Sequence, residues 1–159
     1  MLRNALSTDV DRLATIWYEG WQDAHADLLP DELKRLRTLE SFRERLLLRL
    51  ASTRLAELDG DVVGFCTLKN DELYQLFISA PARGTGIAAA LVADAEMRLK
   101  EAGVATAWLG CAIGNDRAAR FYEKCGWERA GASVIAVETS EGPFDLEVWR
   151  YEKRLIRPS

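Results

Sequence analysis

The order of apolar and polar positions predicts two helices ahead of most of the strands. Apolar residues recur at helical spacing from Val10 to Trp21, which predicts a helix over about residues 9–23. A second helix is predicted to begin at Thr38 or Ser41, because either side chain can cap its first turn. The charged residues of this second helix predict a mostly solvated face: Arg43, Glu44, Arg45 and Arg49.

The rest of the chain alternates in the way expected for β-strands. The predicted strands are, in order, 2–5, 53–58, 62–68, 72–79, 105–109, 133–137 and 144–153. A helix joins strands 72–79 and 105–109, so these two should run parallel. Along strand 72–79 a period of two places Glu72, Tyr74, Leu76 and Ile78 on one face.

One segment passes from a strand into a helix across two glycines. Pro81 cannot donate to a sheet ladder, so the strand should end near Ser79, and a helix is predicted over 88–101. Gly84 and Gly86 lack a Cβ, and the first amides of a helix have no intrahelical partner. With the helix dipole, these amides form an anion site suited to a phosphate or pyrophosphate. The alternative interpretation is an ordinary tight turn.

Composition and charge limit the class of protein. The chain has 159 residues, of which 48% are hydrophobic and 29% charged, as in one soluble globular domain. A net charge of −4 disfavours nucleic acid as a partner for the whole surface. Cys66, Cys111 and Cys125 are widely spaced and fit reduced thiols better than a disulfide framework or a metal site. No apolar run approaches about 18 residues and no signal-peptide pattern is present, so we expect a cytoplasmic protein that does not bind a membrane.

A second pattern follows the glycine turn. Asn115 or Asp116 can cap a helix that Gly126 closes, and the sequence from Asn115 reads Asn-x-x-Ala-x-x-Phe-Tyr-Glu-Lys-x-Gly-Trp. The turn itself reads Arg-x-x-Gly-x-Ala from Arg83. Both patterns, in this order and about 30 residues apart, resemble those of the GNAT-type N-acetyltransferases.

That resemblance implies both a fold and a reaction. The fold is α/β (α+β), with a central, mixed, mostly antiparallel twisted sheet of six to seven strands, about four helices and a splayed strand pair at the coenzyme A site. The resemblance covers most of the chain, so we expect a single domain over 1–159. The implied reaction is direct transfer of the acetyl group of acetyl-CoA to an amine in a ternary complex, with no metal.

The resemblance also assigns residues to the coenzyme. The backbone of Phe77 and Ile78 would bond the pantetheine arm like an added strand. The pyrophosphate would be held by the loop amides of Arg83, Gly84, Thr85, Gly86, Ile87 and Ala88, and the Thr85 hydroxyl would add a hydrogen bond. Asn115 would contact the coenzyme arm, the alternative being a plain helix cap. Arg120, with Arg117 and Lys124, would meet the phosphates, the alternative being a solvated face.

Two residues are candidates for proton transfer. Tyr122 matches the tyrosine that acts as general acid to the sulfur of coenzyme A in this family, and its alternative role is core packing. Glu72 matches a strand position that often carries the glutamate base. His25 as base, a water chain, or an exposed Glu72 at the strand end are the alternatives.

The acceptor pocket is expected between the two N-terminal helices and the last hairpin. Its candidate residues are Trp21, His25, Leu29 and Trp149. Carboxylates of Asp27, Asp31 and Glu32 are candidates for attracting a cationic amine. The acceptor itself stays open, as a small molecule, a lysine or a peptide N-terminus.

Other functions are compatible with the same loop. The main alternative is a non-catalytic acyl-CoA-binding sensor or regulatory module, against which Tyr122 and Asn115 argue. A protein that uses the fold only for contacts between subunits is a third class. A homodimer is plausible from the resemblance.

Overall fold

A single sheet of seven strands runs through the computed structural model, which describes residues 1–25 and 27–157. The strands are β1 (Leu2–Asn4), β2 (Thr53–Leu58), β3 (Asp61–Lys69), β4 (Glu72–Ile78), β5 (Thr106–Ala112), β6 (Glu128–Val137) and β7 (Phe144–Arg154). Their order in the sheet is β1-β2-β3-β4-β5-β7-β6. Neighbouring strands are antiparallel except for β4 and β5, which are parallel as predicted.

Five α-helices and three short 3₁₀ turns are present in the described part of the chain. The helices are α1 (Val10–His25), α2 (Asp31–Leu36), α3 (Leu39–Leu48), α4 (Ile87–Glu101) and α5 (Asp116–Lys124). The 3₁₀ turns are Ser7–Asp9, Leu50–Ser52 and Ala80–Ala82. Helix α2 was not predicted, but α1, α3, α4 and α5 and the mostly antiparallel sheet confirm the predicted fold class.

The helices cover both faces of the sheet. On one face, Trp17 of α1 stacks on Phe42 of α3 at 4.7 Å between ring centroids, and both pack over Phe65 and Phe77 of the sheet. On the other face, α4 and α5 pack on a second cluster of buried residues. Burying each such large apolar side chain contributes about 1.5–3 kcal/mol, so both layers stabilise the sheet between them.

A β-bulge in β4 overturns the predicted alternation of its side chains. Thr67 pairs with Gln75, but the next residue of β3, Leu68, pairs with Leu73, so Tyr74 is the extra residue. The bulge shifts the phase by one position. Tyr74 therefore lies on the α1–α3 face with Phe77, whereas Leu73 packs on the α4 face with Leu76.

The parallel strands β4 and β5 part soon after they meet. Within residues 1–25 and 27–157 their one register pair is Glu72 with Trp108, supported by the Trp108 amide donating to the Asp71 carbonyl at 3.2 Å. Beyond that point β5 pairs only with β7. The strand splay implied by the sequence resemblance is therefore present, and it opens the sheet beside the start of α4.

The prediction of a solvated face for α3 is wrong at one residue. Arg45 is 6% exposed, because it lies three residues after Phe42 on the buried side of the helix. Its guanidinium lies over the Trp17 ring at 4.5 Å and donates to the Tyr74 hydroxyl at 2.8 Å.

Candidate functional site

A cavity of about 390 Å³ lies where β4 and β5 part. We call it the large cavity. Its walls come from β4, the loop before α4, the end of β5, α5 and the end of α1. The residues that line it include Gly20, His25, Leu76, Phe77, Ile78, Arg83, Gly84, Gly86, Ala88, Cys111, Asn115, Arg117, Phe121 and Tyr122. A cavity of this size is sufficient to hold part of a large cofactor-like ligand.

The loop before α4 presents a row of backbone amides without protein acceptors. Among the described residues, the amides of 84–89 donate to no backbone or side-chain oxygen, and the first helical bond is from Ala90 to the Gly86 carbonyl at 3.1 Å. Gly84 and Gly86 adopt φ of +80° and +86°, and a Cβ built on either would meet no atom within 4 Å. The loop is therefore an open cradle of N–H groups at a helix N-terminus, the geometry that binds phosphates.

The loop side chains are engaged with the protein. The Thr85 hydroxyl donates to the Ala82 carbonyl at 2.5 Å, so it braces the turn. Arg83 lies 3.5 Å from the Asp23 carboxylate of α1. The backbone, rather than these side chains, is what the loop offers to an anion.

Tyr122 lines the large cavity from α5. Its ring packs against Phe121, Trp127 and Tyr151 at centroid distances of 5.3, 6.4 and 6.4 Å. Its hydroxyl makes no hydrogen bond within the part of the chain that the structure describes. Burial, and secondarily the Cys111 thiol, raises the pKa of Tyr122, so the phenol stays protonated and can act as a hydrogen-bond donor in the cavity.

Asn115 connects α5 to the end of α1. Its side-chain oxygen caps α5 by accepting from the Ala118 amide at 3.3 Å, and its amide nitrogen lies 3.5 Å from His25 Nε2. Burial and the Arg37 guanidinium lower the pKa of His25 to about 4. The imidazole is therefore neutral near pH 7, and its Nδ1 is buried without a partner among the described residues.

A second, smaller cavity adjoins the first. This small cavity has a volume of about 100 Å³ and shares with the large cavity the residues His25, Tyr74, Gln75, Gly110 and Ala112. Its other walls come from α1, the α2–α3 region and the last hairpin. They are Trp17, Trp21, Leu29, Leu33, Arg37, Arg45, Glu72, Ile135, Val137, Leu146 and Val148. The two cavities therefore lie side by side where the sheet is splayed.

Glu72 lines the small cavity at the start of the splay. The residue is 8% exposed, and its carboxylate has no hydrogen-bond donor within residues 1–25 and 27–157. Burial is the main reason that the pKa of Glu72 is raised to about 7. A carboxyl group with that pKa can exchange a proton near neutral pH.

A network of charged groups surrounds Tyr74 at the edge of the small cavity. The Tyr74 hydroxyl donates to Glu138 at 2.5 Å, and Arg49 donates to the same carboxylate at 2.9 Å. Burial acts to raise the pKa of Glu138, but these two hydrogen bonds prevail and lower it to about 2. Glu138 is thus a fixed anion that holds Tyr74 and Arg49 in place.

The model of the acetyltransferase (GNAT) family matches residues 10–127. The chain belongs to the GNAT acetyltransferase family.

Curated relatives of this GNAT chain match it over part of their length. A mycothiol acetyltransferase of Sanguibacter keddieii is 36% identical over 98 residues, which is 55% of this chain and 31% of that protein. An uncharacterized N-acetyltransferase of Mycobacterium tuberculosis is 36% identical over 82 residues, 48% of this chain and 53% of the relative. The GNAT chain therefore matches about a third to a half of the length of these relatives.

Solved structures share the fold of the whole GNAT chain. A GCN5-related N-acetyltransferase from Rhodopseudomonas palustris superposes with a TM-score of 0.76 at 22% identity, covering 97% of this chain and 94% of that one. The PaiA N-acetyltransferase of Thermoplasma acidophilum, solved with coenzyme A, gives a TM-score of 0.72 at 20% identity, with 97% and 98% covered.

The GNAT structure brings most of the predicted site residues together. Phe77, Ile78, Arg83, Gly84, Gly86, Ala88, Asn115 and Tyr122 line the large cavity. Trp21, Leu29 and Glu72 line the small cavity, and His25 lines both. The sequence-based roles of these residues stay predictions, whereas their placement in two adjoining cavities is observed.

Some predicted residues lie elsewhere. Thr85 and Ile87 are in the loop but line neither cavity, and Arg120 is exposed on α5, where Arg117 reaches the cavity instead. Trp149 also lines neither cavity. It lies beneath the Arg129 guanidinium at 3.9 Å, because its neighbour Val148 occupies the strand position that faces the small cavity.

The predicted acidic attraction for an amine is not found at the site. Asp27, Asp31 and Glu32 are exposed and line neither cavity. The sequence analysis missed the two buried arginines of the small cavity, Arg37 and Arg45. A helical pattern could have shown Arg45, since it falls on the apolar side of α3 with Phe42.

The described residues contain neither a membrane-spanning helix nor a metal-binding cluster. None of the helices in residues 1–25 and 27–157 is both long and apolar enough to span a bilayer. Within the same residues, no group of three or more His, Cys, Asp or Glu side chains is placed to hold a metal ion. The three cysteines are unpaired thiols, of which Cys66 and Cys111 are buried.

Proposed function

We propose that this GNAT protein transfers the acetyl group of acetyl-CoA to the amine of a small acceptor. One observation carries the proposal: the amides of 84–89, which have no acceptor among the described residues, lie at a cavity that Tyr122 lines and that adjoins the cavity lined by Glu72. A phosphate cradle, a hydrogen-bond donor and a proton acceptor thus lie in two adjoining cavities. Acetyltransferases of the same fold, PaiA and a Salmonella typhimurium protein, were solved with coenzyme A and acetyl-CoA.

The donor side of the site supplies binding groups. The amides of residues 84–89 would hold the pyrophosphate, because they point out of a helix N-terminus and have no other acceptor among the described residues. The edge of β4 at Phe77 and Ile78, left unpaired by the splay, would bond the pantetheine amides as an added strand. Bound acetyl-CoA supplies an activated thioester carbonyl.

The acceptor amine must lose a proton to attack. We assign that proton to Glu72, because its pKa near 7 makes it a base at neutral pH and it lines the small cavity. His25 is the weaker alternative, since burial lowers its pKa to about 4 and leaves it a poor base. A water molecule between Glu72 and the amine is compatible with the same assignment.

The departing thiolate needs a proton or a hydrogen bond. We assign Tyr122 to that role, because its phenol remains protonated and makes no hydrogen bond to any residue in the described ranges. A hydrogen bond from this phenol to the negative charge that develops on sulfur would be stronger in a cavity walled by aromatic rings than in water. Asn115 would orient the coenzyme arm while it caps α5.

The test is thiol release from acetyl-CoA by the purified full chain with a panel of primary amines, with mass detection of the acetylated product. We expect thiol release that depends on both the protein and an amine. Tight acetyl-CoA binding without turnover on any amine would favour the acyl-CoA sensor instead. If the chain shows neither acetyl-CoA binding nor turnover, both functions are contradicted, and a fold used only for subunit contacts is favoured.

Three expectations from the sequence belong with this proposal. Residues 1–159 would act as a single acetyltransferase domain, which agrees with the single sheet. A cytoplasmic location is expected from composition alone. Pairing of two copies is also expected, and sedimentation of the purified chain measures it directly.

A further inference from the structure

Two arginines in the small cavity lack the partners that buried cations usually have. Arg37 and Arg45 are 5% and 6% exposed and both line the small cavity. Neither lies within 4 Å of a carboxylate in residues 1–25 and 27–157. Arg37 donates to the Glu138 carbonyl at 2.6 Å, and Arg45 donates to the Tyr74 hydroxyl at 2.8 Å, so both bonds are to neutral groups.

Other arginines of the chain behave differently. Arg49 lies 2.9 Å from Glu138, Arg54 lies 3.0 Å from Asp94, and Arg3 lies 2.9 Å from Asp9. These three are more exposed than the cavity pair, yet each has a carboxylate partner. The least solvated guanidiniums are therefore the ones left without an anion.

Leaving two buried like charges together is unfavourable for the free protein. Burial and the neighbouring Arg45 lower the pKa of Arg37 to about 9, which shows the strain on the pair. The Nε of Arg45 is also buried without an acceptor in the described part of the chain. Such a cost is expected where a ligand supplies the missing negative charge.

The contacts of Arg45 fix its orientation without neutralising it. Its guanidinium is held over the Trp17 ring at 4.5 Å and by the Tyr74 hydroxyl, which Glu138 fixes in turn. A guanidinium that is fixed in this way loses little entropy when it binds a planar carboxylate through two hydrogen bonds.

The other residues that line the small cavity indicate which further groups the ligand carries. The walls also include apolar and aromatic side chains, among them Trp21, Leu33 and Ile135. Glu72 lines the same space, and Gln75 and Gly110 connect it with the large cavity. One small molecule would therefore present an amine to Glu72, an anion to the arginines and an apolar group to the walls.

We propose that the acceptor is an α-amino acid with an apolar side chain, whose carboxylate is held by Arg37 and Arg45. This inference rests on the acetyltransferase function proposed above, and it names the class of acceptor. The covalent step is the same: nitrogen forms a bond to the acetyl carbon, and the proton that the amine loses passes to Glu72. The carbon–sulfur bond breaks with its electron pair on sulfur, so coenzyme A leaves as a thiolate that accepts a hydrogen bond from Tyr122.

The first test uses the wild-type chain alone. Thiol release is compared for leucine, methionine and phenylalanine, each against its decarboxylated amine and its carboxamide. We expect kcat/KM for the amino acids to exceed that for both analogues by about tenfold or more, the effect of a lost hydrogen bond to a charged group. The aminophosphonate analogue of leucine distinguishes a carboxylate site from a phosphate site, and a preference for it would overturn the carboxylate assignment.

The second test uses variants. Arg37→Gln should raise the KM for leucine about tenfold or more. The KM for 3-methylbutylamine, the decarboxylated analogue of leucine, should stay unchanged. Arg43→Gln is the matched control, since Arg43 is on α3 but pairs with Asp11 at 2.6 Å and lines neither cavity. Thermal unfolding of each variant confirms that it is folded before kinetics are compared.

A binding measurement separates this inference from the proposed function. N-acetylleucine should quench tryptophan fluorescence, because Trp17 and Trp21 line the small cavity, and Arg37→Gln should abolish the effect. Acetylation of decarboxylated amines as fast as of amino acids would overturn the inference while the acetyltransferase function stands. If no amine is acetylated, the proposed function fails, and the response to N-acetylleucine still decides whether the anion site exists.

Discussion

Glu72 is the residue that we expect to determine how activity and folding stability depend on pH. Its carboxyl is buried at the point where β4 and β5 separate, and burial raises its pKa from about 4.5 to about 7. The folded protein therefore holds this proton more tightly than the unfolded chain does. Two consequences follow, one for activity and one for stability.

The activity of the wild-type chain should rise with pH through an inflection near 7, because Glu72 must be ionised to accept a proton. Glu72→Gln should lower kcat about 10²-fold and remove that inflection, leaving only the rise caused by the acceptor amine. The measurement is kcat/KM against pH for both proteins. An inflection near 7 that survives in the variant would assign the base to another group.

The same substitution should stabilise the fold above neutral pH. Ionising Glu72 in the folded state costs on the order of 3 kcal/mol, given a pKa of about 7 against the ordinary 4.5. This penalty is absent below pH 4.5, grows as the pH rises, and is complete above pH 7. Glu72→Gln should gain up to about that amount at pH 8 in urea unfolding. Glu44→Gln, on the exposed side of α3, controls for the change of residue type.

Tyr122 can be tested without disturbing the core. Since its hydroxyl bonds no residue of the described ranges, Tyr122→Phe keeps the ring contacts with Phe121 and Trp127. We expect kcat to fall about 10²-fold, while the Kd for acetyl-CoA and the melting temperature stay near wild type. Tyr18→Phe, at an exposed position of α1, is the control. An unchanged kcat would remove Tyr122 from the chemistry.

At the scale of elements, the sequence predicts the features that neighbouring residues in the chain determine. It misses the features that depend on pairing between strands. Helix α4 begins at Ile87, one residue from the prediction, because glycine and proline set the turn before it. The bulge at Tyr74 was missed, since it depends on how β3 and β4 pair. The first half of β6 was missed because its side chains are exposed and show no apolar alternation.

In the candidate site, too, the features set by local sequence could be predicted, and those set by contacts between elements could not. The loop at Gly84 and Gly86 could be predicted, because positive φ and a helix start leave a local signature. The burial of Arg37 could not be read from hydropathy, which treats arginine as a surface residue, whereas Arg45 could have been found from its helical spacing to Phe42. Trp149 was assigned to the wrong face for a related reason, since the faces of β7 are set by its pairing with β5 and β6.

The role of the loop can be tested with a matched pair of glycines. Gly86 and Gly60 have φ of +86° and +85°, and a Cβ on either meets no atom within 4 Å. Alanine at either position should therefore cost a similar 1 to 2 kcal/mol, approximately the strain of a left-handed residue. Gly86→Ala should also weaken acetyl-CoA binding by about tenfold or more, because the methyl group enters the cradle. Calorimetric Kd values that match for the two variants would show that the loop is misassigned.

At the scale of the whole molecule, the sheet separates two layers of helices and is open between β4 and β5. Helices α4 and α5 cover one face and α1 and α3 the other, and the gap between β4 and β5 joins the two sides. The large cavity is built mainly by the α4–α5 layer, and the small cavity by the α1–α3 layer with the last hairpin. Donor and acceptor would therefore approach from different sides and meet at the gap.

The central claim is that the amides at the head of α4 bind the pyrophosphate of the coenzyme. The most direct measurement is the shift of every backbone amide resonance in the ¹⁵N-labelled chain as coenzyme A is added. We predict that the largest shifts fall on residues 84–89 and along β4 at 75–78, with none at the Asp59–Gly60 turn. Shifts that cluster elsewhere, or a loop whose amides do not respond to saturating coenzyme A, would contradict the account.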